Sequence, residues 1–354
     1  DERALPICKH LINDQLFAKM KGVAGSVSNQ QHSLILPTSL CAGQVANMAA
    51  QRLNRKTVKT ELETEYVTLP HTEGCGVSSG HSEKIIRDIF KGYLCHPLIK
   101  NSLILEHGCE NLHLGYMRKV LIEENIDPSV YGWASIQKDG GIESVILKIE
   151  DWFSGVQVEN LHSNDNLNVS ENMYSVAILG DSYVDAEIAH GFATLCQTMS
   201  EAGISVVLPT FTSLLQSKTF LTELFADASI APNIDAANIP KGPGVHIMET
   251  YSDHFVENMT VLGASGVQLF LTYADSVLPQ GHPFIPMLRI CASASDMNSR
   301  HTQVFDINAL SSLLWTEEVV DTIRDIQAGN FKRQAMLKEY VDFQIPRGPS
   351  AVSM

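Results

Sequence analysis

Long apolar runs are missing from this sequence: no stretch approaches the roughly eighteen consecutive apolar residues that a membrane-crossing helix needs. Positive charge is scarce as well. Lys and Arg number 25 against 40 Asp and Glu, a formal net charge of −15. The basic footprint that nucleic acid or an anionic membrane surface demands is therefore lacking, and neither is expected as a partner. A small anionic substrate stays open, because one pocket can be basic on an acidic protein. Cysteines total 7, an odd and scattered set unlike a disulfide framework, so a reducing, cytoplasmic setting is expected. The start "DERALPICKHLINDQ" lacks the basic-then-apolar order of a secretory signal. Several signatures are absent too: no CxxC pair, no HExxH, no P-loop and no GxGxxG.

What is present is a chain of 354 residues with 44% hydrophobic and 18% charged residues, the balance of a globular protein with a sizeable core. The length favours two domains. Short apolar runs alternate with helical spacing from the start: "SLILP", then "CAGQVANMAAQRL"; "EYVTLP", then "SEKIIRDIFKGYL" with Ser82 as the expected N-cap; "NSLILEHG", then "MRKVLIEEN"; "YGWASIQ", then "GIESVILKIEDWF". The alternation predicts an α/β fold of two Rossmann-like domains, with mainly parallel sheets flanked by helices. The expected division is an N-terminal extension over 1–30, a first α/β domain over 31–160, a polar linker over 161–173 and a second α/β domain over 174–354. In the second half, "YSVAILGD", "ISVVLP", "VQLFLTYAD" and "PMLRICAS" read as strands. "AEIAHGFATLCQTMSEAG", "HFVENMTVLGASG", "TEEVVDTIRDIQAG" and "FKRQAMLKEYVDF" read as helices, and "APNIDAANIPKGPG" as a loop.

In an open α/β sheet the ligand site lies beyond the carboxyl ends of the strands. Three segments meet that condition in the first domain: "PTSLC", "LPHTEGCG" and "HGCEN". If their strands are neighbours, Cys41, His71, Glu73, Cys75, His107, Cys109 and Glu110 share one rim. Imidazole, thiolate and carboxylate are ligands for zinc and iron. The same residues also read as glycine-rich turns with a Cys packed as a small hydrophobe, and spacing alone does not choose. "SIQKDGGI", with Gln137, Gly140 and Gly141 ahead of a helix, could hold a carboxylate or serve as a plain strand-to-helix turn. "LGDSYVD" offers Asp181 and Ser182 after a strand but lacks a GxSxG elbow.

Taken together, "NQQHSLILPTSLCAGQVANMAA", "LPHTEGCG", "HPLIKNSLILEHGCEN" and "SIQKDGGI" resemble, in order and spacing, the altronate/galactarate dehydratase family, which includes the sulfolactate sulfo-lyase large subunits. The later "GVHIMETYSDHFVENMTVLGASGVQLFLTYADSVLPQGHPFIPMLRI" and "VFDINA" resemble its closing segments more loosely. Departures fall in the second half: "LGDSYVDAEIAHGFA" stands where the family carries a glycine-rich stretch, and "FLTYADSVLPQG" lacks the family's arginine.

The resemblance implies a metal-dependent lyase that dehydrates a sugar-acid or related hydroxy-acid carboxylate by α-proton abstraction and β-elimination. It implies a divalent metal, iron(II) first, with manganese or zinc as substitutes, near His71, Cys75, Cys109 and Cys41. His71, His107 and Glu110 are the catalytic candidates; Gln137, Gly140, Gly141, Asp181 and Ser182 are the substrate-binding ones. Two alternatives follow from it: the large subunit of a sulfolactate-type lyase, or a divergent, non-catalytic member. The family's small N-terminal domain has no counterpart in this sequence, so the expectation is either that the sequence begins after it or that such a subunit acts in trans, and a homo-oligomer is compatible with the sequence. Arg289, Lys241 and His282 are the basic residues of the second half to locate first.

Overall fold

The computed structural model describes residues 16–20, 23, 31–56, 65–75, 80–160, 174–180, 182–227, 231–274, 280–292, 305–309, 314–328 and 340–347, without the side chains of 157–160 and 227. The chain forms two compact units. One comprises Gln30–Ser170 with Phe343–Met354, the other Asp1–Asn29 with Glu171–Asp342.

The first unit is a four-stranded sheet in the order β2-β1-β3-β4, built from β1 (His32–Pro37), β2 (Tyr66–Thr68), β3 (Ile99–Glu106) and β4 (Gly132–Ser135). Every pairing is parallel, with Leu34 opposite Val67 on one side and Ser102 on the other. β1 is apolar on both faces because both are covered, which is why it reads as a continuous run. Four helices connect and flank these strands: α1 (Leu40–Lys56), α2 (His81–Leu94), α3 (Leu114–Glu123) and α4 (Ile142–Asn160).

Ala42, Val45, Ala46, Ala49 and Leu53 of α1 fall on one helical face. They pack with Val145, Ile146, Ile149 and Phe153 of α4 over Ile35, Leu103 and Leu105 of the sheet. Ile85, Ile86, Ile89 and Phe90 are the buried face of α2. The expected Ser82 cap is not formed. Gly80 is the N-cap without a side-chain hydrogen bond, and Ser82 Oγ donates instead to the Arg347 carbonyl at 2.9 Å.

The second unit is a six-stranded sheet in the order β10-β9-β8-β5-β6-β7, again wholly parallel. Its strands are β5 (Ser175–Gly180), β6 (Ser205–Pro209), β7 (Gly244–Met248), β8 (Leu269–Ala274), β9 (Met287–Cys291) and β10 (Ile307–Asn308); its helices are α5 (Ala186–Glu201), α6 (Lys218–Asp227), α7 (Phe255–Ala264) and α8 (Trp315–Gln327). The two-sheet, helix-flanked α/β architecture is the one expected. Three elements were not foreseen: α6, β7 and β10. Of the helix expected over 331–343, 331–339 lie outside the described residues, and 340–343 are not helical, since Val341 bridges Gly281.

Leu16, Met20 and Val23 belong to the core of the second unit, with Phe192, Trp315 and Tyr273. No helix among the described residues is long and apolar enough to cross a membrane.

Candidate functional site

In the first sheet β1 feeds β2 on one side, while β3 and β4 build outward on the other. The strand order thus reverses between β1 and β3. Loops leaving those two strands diverge there and open a crevice, the usual ligand position in this architecture. The loop after β1 brings Thr38 and Ser39, and the loop after β3 brings His107 to Glu110. Flanking them are Leu69–Cys75 after β2 and Ile136–Gly141 after β4.

Glu110 ties these loops together. Its Oε1 accepts from Ser39 Oγ (2.7 Å), Thr38 Oγ1 (3.2 Å) and the His107 backbone N–H (2.5 Å), and its Oε2 from the Gly108 N–H (2.6 Å). Burial pushes this carboxyl up, but the donors from His107, Gly108 and Ser39 outweigh it and leave the pKa below the ordinary value. A carboxylate so fully engaged stays ionised. Its geometry is that of an anchor rather than the proton donor or acceptor expected from sequence.

His71 has a similar fate. It is buried, with Nε2 3.1 Å from the Pro37 carbonyl and Nδ1 accepting from the Glu73 N–H at 3.2 Å. Those partners fix the proton on Nε2 and occupy the Nδ1 lone pair that a metal or a substrate proton would need. Desolvation lowers its pKa to about 4 against the pull of the Pro37 carbonyl. The expected ligand and base is placed as a neutral pin between the β1 and β2 loops.

The remaining candidates stay accessible. Cys41 and Cys109 are exposed and Cys75 is half-buried, all as free thiols. The Cys109 thiol is held above its ordinary pKa by partial desolvation, then by Cys75, Glu110 and, more weakly, Cys41. His107 Nδ1 lies 3.3 Å from Cys109 Sγ and 3.4 Å from Gln137 Nε2. Among the described residues no three His, Cys, Asp or Glu side chains are already arranged around a common metal position. In kind, a thiol held in its neutral form beside two other cysteines suits a soft or borderline cation, which would relieve that repulsion.

Sequence reasoning missed four contributors: Thr38, Ser39, the buried Glu106 and Lys138. Glu106 accepts from Lys138 Nζ (2.8 Å) and the Leu114 N–H (2.7 Å), so it joins the β4 loop to the start of α3. The available signal was "PTS" and "QKDGG" at strand ends, segments whose expected contributors are Cys41, Gln137 and the glycines. Gly140 and Gly141, with φ of 89° and 91°, close the turn in which the Gly141 N–H reaches the Ile136 carbonyl at 2.8 Å.

Gly108 is required by space and by conformation. Its φ is +121°, and a Cβ there would sit 2.9 Å from Gln137 Oε1 and 3.0 Å from Gln137 Cβ. Gly108→Ala is expected to cost about 2 kcal/mol in urea unfolding. Adding Gln137→Ala removes the contact with Oε1 but leaves the 3.0 Å approach to the Cβ and the backbone strain, so most of the loss should remain. A neutral single substitution would refute this account.

In the second unit, Asp181 lies outside the described residues. Ser182 follows β5, and its carbonyl accepts from Ser213 Oγ at 2.6 Å. Tyr273 OH bonds Ser213 Oγ (2.7 Å) and Thr212 Oγ1 (3.1 Å) beneath it. Arg289 and His282 are buried, the latter accepting on Nδ1 from the Phe284 and Ile285 N–H groups, while Lys241 is exposed.

Comparison with known proteins places this geometry. Residues 23–157 match the family described as D-galactarate dehydratase/altronate hydrolase, second domain. No curated protein matches the chain. The matched span contains the whole first-unit rim, from Thr38 to Gly141.

Proposed function

We propose that the chain is a lyase acting on a sugar-acid or related hydroxy-acid carboxylate, removing the α-proton and eliminating the β-hydroxyl as water. The observation that carries this is the grouping of His107, Cys109, Cys75 and Cys41 at the reversal point of a parallel sheet, inside a sugar-acid dehydratase family domain. His107 is the rim's proton acceptor through Nε2, its ring oriented at Nδ1 by Gln137 and Cys109 and its backbone N–H held by Glu110. The α-proton goes to this imidazole, and the imidazolium so formed returns it to the β-hydroxyl as the C–O bond breaks and water leaves. The enol that results tautomerises to a 2-keto-3-deoxy acid. A divalent metal on Cys75, Cys109 and Cys41, iron(II) in the first instance, would supply Lewis-acid stabilisation of the enediolate charge. Glu110 and His71 hold the loops and exchange no proton.

Protein prepared without oxygen should carry metal. Cys75→Ser and Cys109→Ser should each lower its metal affinity about 10-fold or more, measured by elemental analysis after dialysis against a graded chelator. Incubation with D-galactarate and D-altronate should yield a 2-keto acid, trapped as its hydrazone. Sulfite release from sulfolactate would shift the reading to a sulfo-lyase. Metal retention with no turnover of any hydroxy acid would mark a non-catalytic member, and unchanged metal affinity in both variants would remove the thiols from the site.

A further inference from the structure

The thiol-bearing loops carry almost no positive charge, yet an anionic substrate needs a cation. Lys138 is committed to the buried Glu106 through its single ammonium. The other cation arrives from the far end of the chain. Residues 343–347 lie against the first unit: Phe343 packs edge-on to Tyr93 of α2 at 5.3 Å, Ile345 is buried, and the Arg347 carbonyl accepts from Ser82 Oγ at 2.9 Å. With the backbone fixed at these points, Arg347 Nε donates to Glu73 Oε1 at 2.8 Å, 274 positions away in sequence.

Glu73 sits in the "PHTEGCG" loop, two residues before Cys75. Its backbone is fixed at both ends, the N–H on His71 Nδ1 and the carbonyl accepting from the Leu40 N–H at 2.8 Å, beside Cys41. The Glu73 side chain is 4% exposed and that of Arg347 43%. A buried carboxylate therefore holds one edge of the guanidinium. The two terminal nitrogens have no other partner among the described residues. This is how a guanidinium is aimed: one N–H is spent on a fixed anion, and the remaining fork is left for a second carboxylate.

We propose that Arg347 is the group that holds the carboxylate of the anionic substrate at this rim, with Glu73 as its positioning residue. The inference rests on the hydroxy-acid reading above and adds to it the substrate-binding cation. An arginine in this place selects for acids over the corresponding polyols, because a neutral hydroxymethyl group cannot replace a carboxylate on the fork.

The test is titration calorimetry of the full chain with D-galactarate, D-altronate and the neutral polyol galactitol. Arg347→Gln should weaken binding of both acids about 10-fold or more and leave the weak binding of galactitol unchanged. Arg347→Lys, which keeps the charge without the fork, should fall between. Glu73→Gln keeps an acceptor for Nε without the charge that fixes the guanidinium, so acid binding should weaken, less than in Arg347→Gln, with galactitol again unchanged. If Arg347 only braced the loop, both variants would weaken galactitol along with the acids, and that result overturns the proposal. Unchanged acid binding in Arg347→Gln with an unchanged thermal midpoint overturns it as well. Wild-type protein that binds none of the acids would instead bring down the hydroxy-acid reading, and the arginine assignment with it.

Discussion

Replacement of Glu110 by alanine should cost the protein about 4 kcal/mol and disorganise the rim. Four donors end on this carboxylate: the hydroxyls of Thr38 and Ser39 and the N–H groups of His107 and Gly108. Removing the acceptor strands the buried Ser39 hydroxyl and the part-buried His107 and Gly108 N–H groups, at roughly 1–3 kcal/mol apiece before water and local shifts recover part of the loss. Thr38 Oγ1 keeps the Leu105 carbonyl at 3.3 Å. The sum exceeds what one ordinary surface substitution does. Because the four donors come from the two loops that flank the strand-order reversal, the damage should be local to the site. Urea unfolding measures the stability. Faster exchange of the His107 and Gly108 amides, with the β1–β3 ladder amides still protected, would show the locality. Glu110→Gln should fall between, since its amide nitrogen turns one donor against another. A loss under about 1 kcal/mol in the alanine variant would mean that Glu110 is not the anchor, and its catalytic assignment would return.

Much of this fold is written in short-range pattern. β1 and β3 announce themselves because parallel strands covered on both faces read as unbroken apolar runs, and α1 because Ala42, Val45, Ala46, Ala49 and Leu53 keep one face. β7 hides for the opposite reason. It is an edge strand of five residues, GVHIM, with a histidine in its middle whose Nε2 is 3.0 Å from the Gly242 carbonyl. β10 has two residues and no pattern to read.

The site was legible in outline only. "PHTEGCG" and "HGCEN" do share one edge, because each follows a parallel strand of the same sheet. Residue type, however, does not say which lone pairs are already spent. His71 and Glu110 carry the right chemistry for catalysis, yet the backbone of neighbouring loops consumes it. His107, of the same type as His71, meets only side chains at Nδ1 and keeps Nε2. The contribution of Arg347 could not be read at all, since nothing local to "IPRGPS" points to a carboxylate 274 residues earlier. A long-range pair of this kind is set by where the closing segment packs, and Phe343 and Ile345 decide that through burial alone.

The acid sensitivity of the first unit should trace to His71. Its folded pKa is about 4 against an ordinary 6.5, because burial disfavours the imidazolium more than the Pro37 carbonyl favours it. With the folded value depressed, the unfolded chain takes up the proton first as pH falls. The stability contributed by the neutral ring is fully present above pH 6.5, declines as pH falls towards 4, and is exhausted below that. The whole difference corresponds to about 3 kcal/mol. Glu106 and Glu110, whose values are lowered from 4.5, begin to lose their contributions only as pH falls through about 4.5, at the acid end of this window. Urea unfolding of wild type and His71→Gln between pH 7.5 and pH 4.5 separates the two, because the carboxylates and the other histidines are common to both proteins. The variant should be less stable at pH 7.5 and should lose markedly less on acidification, so that the two curves converge. Parallel curves would show that His71 is protonated in the folded state, which would free it from the Glu73 N–H and restore it as a base.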